Sequence, residues 1–149
     1  MNVLSFDATA RKAWMGLLAR TAPADLAALM PDLPEHAVLR GPEVGAVMVR
    51  GRMGGSGQPF NLGEMTVTRC SVRLVDGSVG HAHVQGRDKA HALRAAVLDA
   101  LMQTAEAEAV ENRILAPLRT AETETRALRA AKAAATKVEF FTLVRGEDK

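Results

Sequence analysis

The sequence has few of the residues that staple or fill a large core. Of 149 residues one is cysteine, one tryptophan, four phenylalanine and none tyrosine, so aromatics make up 3% of the chain. With Cys70 alone, an internal disulfide, a Cys-rich zinc site and a Cys-ligated iron–sulfur cluster are all excluded. A reduced, cytoplasmic setting is the expectation that follows. No apolar run approaches the ~18–20 residues needed to cross a bilayer, so no transmembrane helix is expected. Met1 to Asp7 lacks a charged region followed by an apolar stretch, and no secretory signal is expected. The net charge of +2 is small for a nucleic-acid binder, and arginines scattered without interleaved aromatics count further against that class.

What is present is an ordinary soluble balance, 48% apolar and 24% charged, with a length that suits one domain over residues 1–149. The apolar share is weighted toward alanine, 27 in all. Alanine buries little area, whereas full burial of a large side chain stabilises by roughly 1.5–3 kcal/mol. The core is therefore expected to be thin and to complete its packing against a partner. Fourteen of the 19 basic residues are arginine, which suits bidentate contact with carboxylate or phosphate.

Three patterns follow one another. From Asp7 to Met30 the period is helical: Ala10, Ala13, Trp14, Leu17 and Leu18 share a face after a cap at Asp7 or Thr9. A second short helix begins near Pro23 with Thr21 as its cap and stops before Pro31 and Pro34. Residues 36–85 read as an antiparallel meander, with strands at 44–52, 64–75 and 78–84 and a hairpin at Asp76-Gly77. Ten of the twelve glycines lie between Gly41 and Gly86. Helix returns over residues 88–103, with Leu93, Ala96, Val97, Ala100 and Leu101 on one face. Pro117 is expected to break the next helical run after Leu115. Residues 118–137 are alanine-rich and polar, and residues 138–144 read as a final short strand. Helices, then strands, then helices is an α+β order.

Residues 119–137 hold one large apolar side chain, Leu128, and a helix polar nearly all round is marginal alone. Residues 118–144 therefore read either as a protruding or swapped arm laid on another subunit or as a solvated connecting helix. Leu128, Val138, Phe140 and Phe141 are the candidate interface residues.

The stretch from Arg50 to Pro59 holds Arg50, Arg52, Gly54, Gly55 and Gly57. Convergent glycine N–H groups beside two arginines suit an anion. The stretch lacks the Gly-Lys-Ser/Thr of a P-loop, and a plain connection between strands accounts for it equally. Arg87 at the start of the long helix is a second candidate for phosphate, opposed by Asp88, which as a cap occupies the same N–H donors. His81 and His83 share a strand face, but no third metal ligand is apparent in the sequence around them. Cys70 in mid-strand reads as a small buried hydrophobe. No catalytic residue and no bound metal or cofactor is expected in this chain.

Several segments resemble one family. They are Arg11-Lys-Ala-Trp-Met-Gly-Leu-Leu-Ala19, Arg52-Met-Gly-Gly-Ser-Gly-Gln-Pro-Phe60, Thr66-Val-Thr-Arg-Cys-Ser-Val-Arg-Leu74 with Asp76-Gly-Ser-Val-Gly80, and Gln85-Gly-Arg-Asp-Lys-Ala-His91 with Asp99-Ala-Leu-Met102. A last block is Val138-Glu-Phe-Phe-Thr-Leu-Val-Arg-Gly146. In combination and order they resemble the PhnG family, the small subunit of the bacterial phosphonate carbon–phosphorus lyase system. The resemblance implies a subunit of a cytoplasmic core complex with PhnI, PhnH and PhnJ. That complex displaces adenine from MgATP by a phosphonate, giving a ribose 1-phosphonate 5-triphosphate. PhnI is credited with that chemistry, and PhnJ with the radical step through its iron–sulfur cluster and S-adenosylmethionine. The resemblance thus implies a required, non-catalytic subunit of a transferase complex, docked directly on PhnI and paired with a second copy of itself, for which MgATP is a substrate of the whole. The alternative is a free-standing phosphate- or nucleotide-binding domain that uses the Arg-Gly-rich loop.

Overall fold

A computed structural model describes residues 7–138. Helix α1 (Ala8–Arg20) begins where Asp7 caps it, its side chain accepting the Thr9 N–H at 2.9 Å. Its buried residues are Trp14, Leu17 and Leu18, while Ala10 and Ala13 stay exposed, so the inward stripe is narrower than the periodicity predicts. Helix α2 (Pro23–Leu29) starts with proline in its first turn as expected. Thr21 does not cap it. Its hydroxyl turns back to donate to Leu17 O at 2.8 Å and closes α1 instead, and no side chain caps α2.

The central segment is an antiparallel meander in the order β1–β2–β3. Strands β1 (His36–Arg52) and β2 (Pro59–Leu74) are longer than expected, and β3 spans Val79–Gln85. The sequence pattern lapses at Arg40-Gly-Pro-Glu43, and the strand survives there because register shifts on either side of Arg40 absorb the irregularity. Pro42 lies on an edge strand, where a missing donor is tolerated. At the other end Gly77, at φ 91°, supplies the left-handed turn, and Leu74 N–H bonds Ser78 O at 2.9 Å.

Thr68, Cys70, Val72 and Leu74 of β2 and Gly80, Ala82 and Val84 of β3 form the inner face. Against it lies α3 (Lys89–Leu101), capped by Asp88, which accepts the His91 N–H at 2.8 Å. This helix is enclosed rather than one-sided: Ala92 and every residue from Ala95 to Ala100 are buried. Alanine here serves close approach. A Cβ on Gly80 would lie 2.0 Å from Ala96 O and 2.5 Å from Ala100 N, so β3 rests directly on the helix backbone. On the other side of α3, His91 donates from Nε2 to Leu18 O (2.8 Å) and Arg94 donates to Met30 O (3.1 Å), tying down α1 and α2.

After α4 (Ala107–Val110) the chain passes through a π-helical turn, Glu111–Leu115, into α5 (Ala116–Ala135). The expected break at Pro117 does not occur. The wider turn just before it accommodates a residue that cannot donate an N–H, and Pro117 falls in the first turn of α5. Ile114, Leu115 and Leu118 complete the core, and from Arg119 onward only Glu122 is partly covered. The observed architecture is α+β. Of the expected final strand only Val138 lies within the described residues, where it is exposed and irregular; Phe140 and Phe141 lie outside them.

Gly80→Ala is expected to destabilise the fold by about 3 kcal/mol or more, because its Cβ meets rigid backbone rather than a movable side chain. Gly63→Ala, with nothing within 4 Å of the new Cβ, should stay within about 1 kcal/mol of the parent. Urea unfolding monitored at Trp14 reads both.

Candidate functional site

The glycine loop closes the β1–β2 hairpin. Met53–Gly55 form a single 3-10 turn with Gly54 and Gly55 at positive φ, 59° and 85°. Met53 O accepts the N–H groups of both Ser56 and Gly57, the latter at 2.7 Å, and Met53 N–H donates to Gln58 O at 3.2 Å. Arg52 donates to Gly57 O at 3.2 Å. Three of the loop's N–H groups are therefore spent on its own closure, leaving those of Gly54 and Gly55 as the donors nearest the tip. Gly57 is required sterically, since a Cβ there would stand 2.6 Å from Met53 O.

Arg50 and Arg52 alternate along β1, share one face of the ribbon and are exposed. Arg87 is elsewhere. Its neighbour Gly86 bonds Thr66 O at 3.0 Å, and seven residues of β2 separate Thr66 from Pro59 at the tip, or about 23 Å at ~3.3 Å per residue. The structure therefore brings Arg50, Arg52, Gly54, Gly55 and Gly57 together and leaves Arg87 apart. At Arg87 the cap has prevailed, because Asp88 already takes the first-turn donor of α3.

Beyond Val67, where β3 ends, the sheet narrows to a two-stranded ribbon of residues 46–52 and 59–66. Phe60, Leu62, Met48 and Met53 are exposed on it, Leu62 by 66% and Met53 by 62%. A two-stranded ribbon is marginal in water without a third layer. The helical arm is uncovered in the same way: Leu128 is 64% exposed and Val138 67%. Arg20 ties the arm to α1 by donating to both carboxylate oxygens of Glu122 at 2.7 and 3.3 Å, and Arg119 ties it to Glu111 of the π-helical turn. Hydrogen bonding from Arg20 holds Glu122 below the ordinary carboxylate range. The Arg20–Glu122 joint is complete above the ordinary carboxylate range and is lost as pH falls through the lowered value of Glu122.

The strongest polar constellation was not expected from the sequence. Asp99 is fully buried and accepts four hydrogen bonds. Arg11 donates from Nε (3.1 Å) and Nη2 (2.6 Å), Trp14 from Nε1 (2.9 Å), and His81 from its backbone N–H (2.9 Å). The bond to Asp99 raises the Arg11 guanidinium above its already high value. The available signal was a single acid in the apolar stretch 95–101, with arginine and tryptophan three apart on another helix. Next to this centre, α1 and β3 enclose a cleft of about 440 Å³ lined by residues of both elements. His81 and His83 are on its rim, with His81 Nδ1 held by Ser71 Oγ at 2.8 Å. His91 bonds Leu18 O and does not line the cleft. Among the described residues no group of three or more His, Cys, Asp or Glu is arranged to hold a metal. Cys70 is buried, and desolvation pushes its thiol upward, away from the reactive thiolate. Among the described residues no helix is long and apolar enough to cross a membrane.

These elements define an α+β body that holds its charge in a structural centre and exposes a ribbon and a helical arm. A family model described as "Phosphonate metabolism protein PhnG" matches residues 9–146. The chain is also 49% identical, over 145 residues, to the alpha-D-ribose 1-methylphosphonate 5-triphosphate synthase subunit PhnG of Rhizobium meliloti (strain 1021), covering 93% of this chain and 90% of the relative. The chain belongs to the PhnG family of phosphonate metabolism proteins.

Replacing Asp99 with Ala should cost about 3–5 kcal/mol, since it strands Arg11 and unpairs the Trp14 and His81 N–H groups. Chemical denaturation with the single tryptophan as reporter measures the loss. Emission from the native state should also shift as the indole N–H loses its partner.

Proposed function

We propose that this chain is a required, non-catalytic subunit of a phosphonate-processing core complex, in which adenine is displaced from MgATP by a phosphonate oxygen to give a ribose 1-phosphonate 5-triphosphate. The observation that carries this reading is near full-length identity with a relative named as a subunit of a synthase of that compound. The physical layout supports it. The buried carboxylate is committed to four internal donors, and burial pushes the Cys70 thiol away from its reactive thiolate form. Met48, Met53, Phe60 and Leu62 on the ribbon and Leu128 and Val138 on the arm are exposed apolar side chains, which suits docking. The PhnG resemblance supplies the partners of the proposal: PhnI in direct contact, PhnH and PhnJ in the same assembly, and a second copy of this chain by two-fold symmetry. A cytoplasmic location agrees with that assignment.

Arg50, Arg52 and the free N–H groups of Gly54 and Gly55 lie at the ribbon tip, where a docked ribbon would carry them into a shared site for triphosphate or phosphonate. The rival reading, a free-standing nucleotide-binding domain, has only those two loop donors and an exposed arginine pair to offer. It is the weaker of the two.

Adenine release from MgATP and a phosphonate tests the reading. The complex reconstituted with this chain should release adenine, and the same subunits without it should not. Arg52→Ala should raise the apparent KM for MgATP or phosphonate about 10-fold, the scale of one charged hydrogen bond at ~1.5 kcal/mol, with assembly intact. An unchanged KM removes the ribbon tip from the site. Leu128→Asp should leave the stability of the isolated chain within about 0.5 kcal/mol while weakening assembly.

A further inference from the structure

We propose that the cleft between α1 and the outer edge of β3 receives an extended, acidic segment of a partner subunit, which adds as a short strand beside His83. This inference rests on the subunit reading above and names a surface that neither the ribbon nor the arm provides.

The strand edge is the first observation. Ser78 O and Gly86 N–H both bond β2, so the even-numbered backbone groups of this segment face the sheet and the odd-numbered ones face outward. The first half of that outer edge is sealed by side chains of the long helix and its end. Gln103 donates to Val79 O at 2.8 Å, and Asp99 accepts His81 N–H at 2.9 Å. The N–H and C=O of His83 come next, and no helix side chain reaches them with a hydrogen bond among the described residues. An unpaired edge beside a helix is the geometry in which an extended peptide adds to a sheet.

The walls supply the second observation. The floor is apolar, with Met15, Leu18, Val84 and Ala95 among its lining residues. Every ionisable residue lining the cleft is basic or histidine: Arg11, Lys12, His81 and His83. No Asp or Glu lines it, and Lys12 has no ion pair among the described residues. Arg11 is spent on Asp99 and His81 Nδ1 on Ser71 Oγ, which leaves Lys12 and His83 to face the occupant. A cationic rim over an apolar floor with free backbone groups selects an extended chain that carries carboxylates between apolar side chains. A small anion would use the rim and leave both floor and edge empty.

Amide hydrogen exchange on the assembled complex tests this. In the isolated chain the His83 amide should exchange at least 100-fold faster than its neighbours Ala82 and Val84, which face β2. In the complex it should become protected to a comparable degree. Lys12→Glu should weaken assembly about 10-fold while Trp14 emission and unfolding stay unchanged, and Lys12→Arg should restore it. A complex that assembles and turns over with His83 still exchanging freely overturns the docking site and leaves the subunit reading standing. Failure of the chain to assemble with the other subunits overturns both. Titration of the isolated chain with inorganic phosphate should leave the His83 amide resonance in place; a saturable shift there assigns the cleft to a small anion and overturns the peptide.

Discussion

The fold depends on one buried carboxylate. Asp99 projects from the last turn of α3 and is met by donors from two other elements, a guanidinium and an indole on α1 and a main-chain N–H on β3. A buried ion is tolerated only where its lone pairs are all engaged, and here four donors engage both oxygens. Because the partners come from both sides of the helix, the same group fixes α1 along the sheet edge and the sheet on the helix. It also stands in for a missing neighbour strand at His81, and so decides how far the free edge of β3 extends.

The second constraint is the distance between sheet and helix. Gly80 brings β3 onto the backbone of α3, and alanines at 92, 95, 96 and 100 keep the helix slim enough for the approach. A composition poor in aromatics and rich in alanine thus has two separate causes. In α3 it produces a closely packed centre, with the large side chains Leu18, Leu26, Leu98 and Leu115 filling the space around it. In α5 the same residue lies on an exposed helix and contributes helix propensity without burial. The expectation of a thin core therefore holds for the arm and fails for the body.

Much of the architecture was legible before any coordinates. Asp7 and Asp88 as caps, the Asp76-Gly77 turn and the order of helices and strands all follow from local chemistry that tertiary packing did not override. The errors lie where a local signal competed with a longer-range one. Thr21 carries a good cap residue's hydroxyl, yet it stands one residue ahead of the α2 cap position, Ala22, and donates to Leu17 O. Pro117 forbids one hydrogen bond, and a widened turn absorbed the loss. Of the candidate phosphate ligands, the hairpin tip gathered those close in sequence, whereas Arg87 was separated by the length of a ribbon whose register spacing patterns do not reveal. The Asp99 centre escaped because its members lie 85 and 88 positions apart, and periodicity does not report such pairs.

A body closed around its own charge, with further apolar side chains exposed on a ribbon and an arm, suits a subunit. The phosphonate chemistry named for its relative is proposed here to belong to the assembly as a whole. The most direct measurement is co-purification: this chain, tagged and co-expressed with PhnI, its proposed partner, then resolved by size exclusion with mass determination. The account predicts one stable species containing both proteins in equal number and two copies of each. A chain that elutes alone as a well-folded monomer in the presence of that partner contradicts it.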